Sequence, residues 1–341
     1  MEELIISTEN FKKIVKELLE KEFKVIGIPE GENKYQEITA DKELSLHPEA
    51  APAGSSFKEY FFPKSEPIFY YKQNNGSVDL FDPIEDKKGI VVIGAKPCDA
   101  SALPIISKVF NWDYKDDLFN HRYESSLIIG MSCHYKDDYC FCVSTKGSPE
   151  NTKGSDVFLT SLENNYFSAA AITPKGETFI KDYAKYFEKD EKKYKPVERK
   201  EAIPEHFNYE KVKTWLDNNF ENEFWDTAGE MCLGCAQCAF VCPTCHCFDI
   251  VDEQCGSCSG RRAKNWDACQ FALFTKHASG HNPRDNQEKR YRQRISHKFK
   301  YYMDKFEDIL CTGCGRCARG CPVSLDILQV VEEINALADK S

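Results

Sequence analysis

At 341 residues, 41% apolar and 29% charged, the chain is long enough for two domains with their own cores and has the composition of an ordinary globular protein, which excludes disordered and fibrous classes. A net charge of −10 argues against nonspecific attraction to nucleic acid or anionic lipid. No run reaches the apolar length of a membrane span, and the N-terminal MEELIISTENFKKIVKELLE is charged and amphipathic rather than signal-like. A cytoplasmic protein without a membrane span is expected.

Ser7 or Thr8 can cap a helix whose Phe11, Ile14, Val15, Leu18 and Leu19 fall at i, i+3, i+4, i+7 and i+8. FKVIGI follows as a strand. PIFYY (67–71), GIVVIG (89–94) and SLIIGM (126–131) are short apolar runs bounded by polar, Gly or Pro residues, the last two reading as buried strands with a helix from Asp99 to Phe110 between them. VFLTSLENNYFSAAAIT (157–173) predicts a hairpin about Asn164-Asn165. These elements make residues 1–200 an α/β domain of open strand order.

KYFEKDEKKYKPVERKEAIPE, from Lys185 to Glu205, is densely charged with two prolines and reads as a linker. Beyond it the strand pattern stops. YEKVKTWLDNNFENEFWD, NWDACQFALFTKHA, the run from Glu288 to Phe306 and SLDILQVVEEINALA all carry helical spacing. Residues 201–341 are therefore predicted to be mostly helical, and the chain to be an α+β two-domain protein.

Seventeen cysteines require an explanation. Disulfide frameworks belong to short secreted domains, whereas this chain is long, its cysteine count is odd and its cysteines cluster at two-residue gaps. Metal is the better reading, in a reducing compartment. MCLGCAQCAFVCP spaces Cys232, Cys235, Cys238 and Cys242 as CxxCxxCxxxCP, and LCTGCGRCARGCP repeats this with Cys311, Cys314, Cys317 and Cys321. Two-residue gaps let a tight loop wrap three corners of an iron–sulfur cube, with the fourth thiolate on a following turn. Gly234, Gly313 and Gly315 allow positive φ and close approach to the sulfides. In two-cluster ferredoxins the fourth cysteine serves the other cube. That rule gives one 4Fe-4S cube to Cys232, Cys235, Cys238 and Cys321, and a second to Cys311, Cys314, Cys317 and Cys242. Zinc also uses CxxC pairs but takes four ligands and has no use for the repeated run. With 68 residues between Cys242 and Cys311 and helical flanks, the domain resembles the α-helical ferredoxin module of fumarate and heterodisulfide reductases.

KPCDASALPIISKVF, CHYKDDYCFCVS, CPTCHCFDI, NWDACQF, SGHNPR, YRQRISHKFKYY and CTGCGRCARGCPV together resemble the 4Fe-4S dicluster family that includes the beta subunit of cytoplasmic sulfhydrogenases and the A subunit of anaerobic sulfite reductase. The resemblance runs from about residue 90 to the C-terminus. It implies an electron-transfer subunit that is not itself catalytic, working between a flavoprotein partner that binds FAD and NAD(P) and a catalytic oxidoreductase subunit. The absence of a GxGxxG or Walker loop fits a subunit that does not hold the nucleotide.

Cys98 and Cys133 each follow an apolar strand, and Cys140 and Cys142 lie just beyond. In a parallel sheet, strand ends line one crevice, so these four are candidate ligands of a third 4Fe-4S cube, against the reading that they are ordinary buried thiols. Cys245, Cys247, Cys255, Cys258 and Cys269 either chelate a further metal or pack around the cubes. His246 and His297 receive no ligand role. Arg284, Lys289, Arg290, Arg292, Arg294, Lys298 and Lys300 either form a solvated helix face or sit near the anionic cubes, stabilise their reduced state and raise their potential. A competing function is a flavin-binding oxidoreductase with its own acceptor site near Cys98 and Asp99, since PCD resembles the PC turn of coenzyme F420-dehydrogenase beta subunits.

Overall fold

A computed structural model of the chain describes residues 4–47, 49–83 and 88–340. Among the described residues, twelve strands build two sheets. The larger uses β1 (Leu4–Ser7), β2 (Lys24–Gly27), β3 (Gln36–Glu37), β6 (Ile90–Ala95), β7 (Leu127–Met131), β8 (Val157–Leu162), β9 (Tyr166–Ala171) and β10 (Glu188–Lys189) in the order β10-β1-β9-β8-β7-β6-β2-β3. Its centre, β2, β6, β7 and β8, is parallel, and the flanking strands are antiparallel.

Every residue of β6 is buried, because helices or loops cover both faces of a parallel sheet. On one face the helix Thr8–Glu20, capped by the Ser7 hydroxyl, packs Phe11, Ile14, Val15 and Leu18 onto Val25, Val91 and Ile129. On the other, Leu103, Ile106 and Phe110 of the helix Ala102–Phe110 meet Ile26, Val92 and Ile128. The β8–β9 hairpin turns at Asn164 and Asn165, both at positive φ, as their short polar side chains allow. The mixed α+β character expected from the sequence is present.

Two expectations fail beyond residue 205. The strand pattern does not stop there: β11 (Phe248–Gly256) and β12 (Ser259–Trp266) form a hairpin that adds to β4 (Ser65–Asn74) and β5 (Ser77–Phe81) in a second sheet ordered β11-β12-β4-β5. The pairing partner of β12 lies far away in sequence, so no local pattern reveals it. The helical reading of NWDACQFALFTKHA also fails, since Asn265 and Trp266 end β12 and residues 267–286 run through turns and bends. The Trp266 indole is instead fixed by donation to the Phe62 carbonyl (3.1 Å) and by stacking on Phe240.

The other C-terminal helices form as read, over Tyr209–Asn218, Phe224–Ala228 and Ile327–Ala338. The basic run makes one continuous helix, Gln287–Ser296, with a π turn over His297–Tyr301 before Tyr302–Phe306. Trp215, Tyr291, Ile295, Phe299 and Val331 fill the core between them. Phe141, from the N-terminal half, is buried in that same core, and its N–H donates to the Gly313 carbonyl (3.0 Å). The two halves are therefore joined by a shared sheet and a shared core.

Candidate metal centres

The two cysteine runs fold alike. In each, a loop carries the first cysteines and a single helical turn, Gln237–Phe240 or Arg316–Arg319, carries the third. Gly234 (φ +66°) and Gly313 (φ +63°) precede the second cysteine, and Ala236 (φ +61°) and Gly315 (φ +70°) follow it. An alanine held in the left-handed region costs about 1–2 kcal/mol, so the wrapped loop conformation is imposed on Ala236 by its surroundings. At Gly313 a side chain has no room: its Cβ would stand 2.4 Å from the Cys142 nitrogen. Gly313→Ala is expected to lower stability by more than about 2 kcal/mol and to loosen the contact between the halves, read as an earlier thermal transition under anaerobic conditions.

Cys232, Cys235, Cys238 and Cys321 line one pocket, together with Cys317, Tyr291 and Arg294. The Cys232 sulfur accepts from Gln287 Nε2 (3.2 Å) and the Cys321 sulfur from the Leu325 N–H (3.3 Å). Cys242 does not line this pocket; it is a charged neighbour of Cys311 and Cys317 in the second run and of Cys238 in the first. Burial raises the Cys311 and Cys317 thiols to about 11 and about 12, and Cys242 is among the charged neighbours of both. Cys242 itself is held well below the usual thiol range, by a hydrogen bond from Cys245 and by the Lys298 ammonium.

Three cations are buried beside these thiols: Lys58, Arg294 and Lys298, each about 3% exposed or less. Lys298 Nζ donates to Cys242 Sγ (3.3 Å), Thr244 Oγ1 (3.1 Å) and the Leu310 carbonyl (2.8 Å). Arg294 donates to the Cys238 carbonyl (3.0 Å) and Cys245 Sγ (3.5 Å), and Lys58 Nζ to the Cys245 carbonyl (2.8 Å). Among the described residues no carboxylate pairs with any of the three. Burying an unpaired cation costs several kcal/mol, so this interior requires an anion, and the anion-forming groups at hand are cysteine thiols. Iron–sulfur cubes with thiolate ligands are anionic groups of that kind, and the residues fit them. Among the described residues no three His, Cys, Asp or Glu side chains converge as a single metal ion would need.

In the N-terminal half, Cys98 and Cys133 follow β6 and β7, and Cys98 and Cys142 line a pocket with Cys311 of the second run. Burial raises the Cys98 thiol well above its usual range, with Cys133 and Cys314 among its neighbours. Cys142 is raised to about 11, again by burial, beside Cys133. Cys140 faces elsewhere: its sulfur accepts from Arg319 Nη2 (3.3 Å), next to the Arg319–Asp137 ion pair. Cys98, Cys133 and Cys142 are thus grouped, and Cys140 stands apart from them.

The remaining cysteines divide in two. Cys245 hydrogen-bonds Cys242, and Cys247 bonds Cys269, whose thiol is lowered to about 6 by that bond and by the Arg294 charge. Cys255 and Cys258 are exposed on the β11–β12 hairpin, so CHC and CGSC do not meet. Burial lowers His246 to about 4 and His297 to about 3, and the two rings pack at 5.5 Å.

Sequence reasoning missed two ion pairs that cross between the halves. Arg316, inside the second run, bonds Asp99 Oδ2 (2.6 Å), and both side chains are buried; Arg319, one turn on, bonds Asp137. Their position within GRCARG was the available clue. Lys58, in FKEYFF, gave none.

Residues 231–325 match the family described as the 4Fe-4S dicluster domain. The chain is 28% identical over 307 residues to the sulfhydrogenase 2 subunit beta of Pyrococcus furiosus, a match covering 88% of each chain. No solved structure matches. No helix among the described residues is long and apolar enough to cross a membrane. Repeated cysteine runs of one backbone geometry, buried cations beside their thiols, the match of residues 231–325 to the 4Fe-4S dicluster domain and the similarity to a sulfhydrogenase beta subunit identify an iron–sulfur electron-transfer subunit of a sulfhydrogenase-like complex.

Proposed function

We propose that this chain is the iron–sulfur relay of a cytoplasmic multisubunit oxidoreductase of the sulfhydrogenase type, carrying electrons between a flavoprotein that binds FAD and NAD(P) and a catalytic subunit. Cys232, Cys235, Cys238 and Cys321 hold one 4Fe-4S cube, and Cys311, Cys314, Cys317 and Cys242 hold the second. The observation that carries this reading is the pocket that Cys321 lines with the first three cysteines, while Cys242 stays outside it and neighbours Cys311 and Cys317. When bound, each cube accepts and releases one electron without a substrate bond being made.

The chain's own residues position and insulate these groups. Gly234, Ala236, Gly313 and Gly315 bend the backbone so that its N–H groups turn inward, and Gly313 N–H already donates to Cys311 Sγ (3.5 Å). Gln287 and Leu325 donate to ligand sulfurs, which stabilises thiolate over thiol. Tyr291, which lines the pocket of the first set, and Phe299 are both buried and exclude water behind the runs.

Cys98, Cys133 and Cys142 are proposed ligands of a third cube at the end of the parallel strands, with Cys140 as the fourth only if it leaves Arg319. Anaerobically purified protein is expected to contain about eight irons and eight sulfides per chain, or about twelve of each with the third site filled. A content near four would end the two-cube reading.

A further inference from the structure

The two candidate ligand sets sit in different electrostatic surroundings. Around the first, Cys235 is exposed, Leu233 beside it is 67% exposed, and the polar side-chain donor to Cys232 is the neutral amide of Gln287. Around the second, Cys242, Cys311 and Cys314 are all buried. Lys298 Nζ reaches the Cys242 sulfur at 3.3 Å, Arg319 donates to the Cys314 carbonyl at 2.7 Å, and Arg316 lies within the run itself.

These cations are not equivalent. Asp99 neutralises Arg316, and Asp137 neutralises Arg319. Lys298 has only uncharged acceptors and the Cys242 sulfur around it. Its cost of burial is already met in the folded chain, so a further negative charge nearby is drawn to it in a medium of low dielectric. Two effects then compete at the inner site. Burial disfavours added charge, but the charge of a reduced cube is spread over a large group, whereas Lys298 touches one of its ligand sulfurs. The direct contact prevails. Arg294 contributes less to the contrast, because it bonds Cys238 of the first set while also lying near Cys317 and Cys242 of the second.

We propose that Lys298 is the potential-setting residue of this chain: it places the reduction potential of the cube held by Cys242, Cys311, Cys314 and Cys317 above that of the cube held by Cys232, Cys235, Cys238 and Cys321. The inference rests on the two-cube reading above. Electrons that enter at the exposed Cys235 end then settle on the inner site, and the outer site empties first when an acceptor takes them.

The test is an anaerobic redox titration of the full chain followed by electron paramagnetic resonance, in the natural protein and in two variants. Iron near eight per chain with two titrating signals establishes the starting point. A lower iron content in the natural protein would fail the two-cube reading rather than this inference. Lys298→Met is expected to lower the higher midpoint and leave the lower one in place, with Lys298→Arg restoring most of the shift. Gln287→Lys brings a cation to Cys232 and is expected to raise only the lower midpoint. This second variant decides the question should Lys298→Met fail to retain its iron. The proposal is overturned if Lys298→Met leaves both midpoints unchanged or moves only the lower one, or if Gln287→Lys moves the higher one.

Discussion

Cys321→Ser is expected to cost the chain about four of its eight irons, and the cube lost is the one held by Cys232, Cys235 and Cys238. Cys321 lies far from that run in sequence, but it shares its pocket, and the Leu325 N–H orients its sulfur. A cube left with three thiolates exposes an iron corner, and here the corner opens beside Cys235, an exposed residue. Oxidation there proceeds to loss of the cluster. The cube of the second run keeps its four ligands, of which Cys242, Cys311 and Cys314 are buried. Iron analysis and electron paramagnetic resonance of the variant give the answer together. The signal that disappears should be the one Gln287→Lys shifts; disappearance of the signal that Lys298→Met shifts would show that Cys321 serves its own run.

Lys264→Ala is expected to destabilise the protein by about 3–5 kcal/mol, as is usual when one partner of a buried ion pair is removed. Lys264, in β12, is 5% exposed at its side chain and bridges Glu66 of β4 (2.9 Å) and Asp116 (2.8 Å), while Arg122 also pairs with Glu66. Asp116 caps the helix Asp117–Glu124, so this one ammonium ties the four-stranded sheet to the helix layer of the larger sheet. The rings of Phe62, Phe110 and Phe248 surround it at 5.3–5.7 Å, and an alanine would leave that cage empty with Glu66 half paired. Arg262→Ala, removing an exposed pair between Arg262 of β12 and Asp252 of β11, should leave the thermal transition nearly where it was, because solvent screens such pairs. Anaerobic thermal unfolding followed by circular dichroism compares the two. Equal midpoints would mean that the second sheet is not anchored through Lys264.

What the sequence determined by itself is local. The helix Thr8–Glu20, the buried strands β6 and β7, the Asn164-Asn165 turn and the paired cysteine runs are each dictated by residues within one or two turns of each other, through periodicity, backbone freedom and ligand spacing. Even the positive φ of Gly234, Gly313 and Gly315 was readable, because a loop wrapped around a cube allows little else.

Tertiary structure alone decided what depends on residues distant in the chain. The β11–β12 hairpin joins β4 across about 190 residues, and its Cys-rich tip directed attention to metal rather than to the alternation of FDIVDEQ. Phe141, from the N-terminal half, is buried in the C-terminal core, a contact that the composition near residue 200 does not reveal. The basic run shows the same limit. Its charges look alike in sequence, yet Lys289 and Lys300 pair with aspartates at the surface while Arg294 and Lys298 are buried against thiols. Which face of the helix meets the cysteine runs is set by its packing on Trp215 and Val331, a choice that sequence charge alone does not reveal.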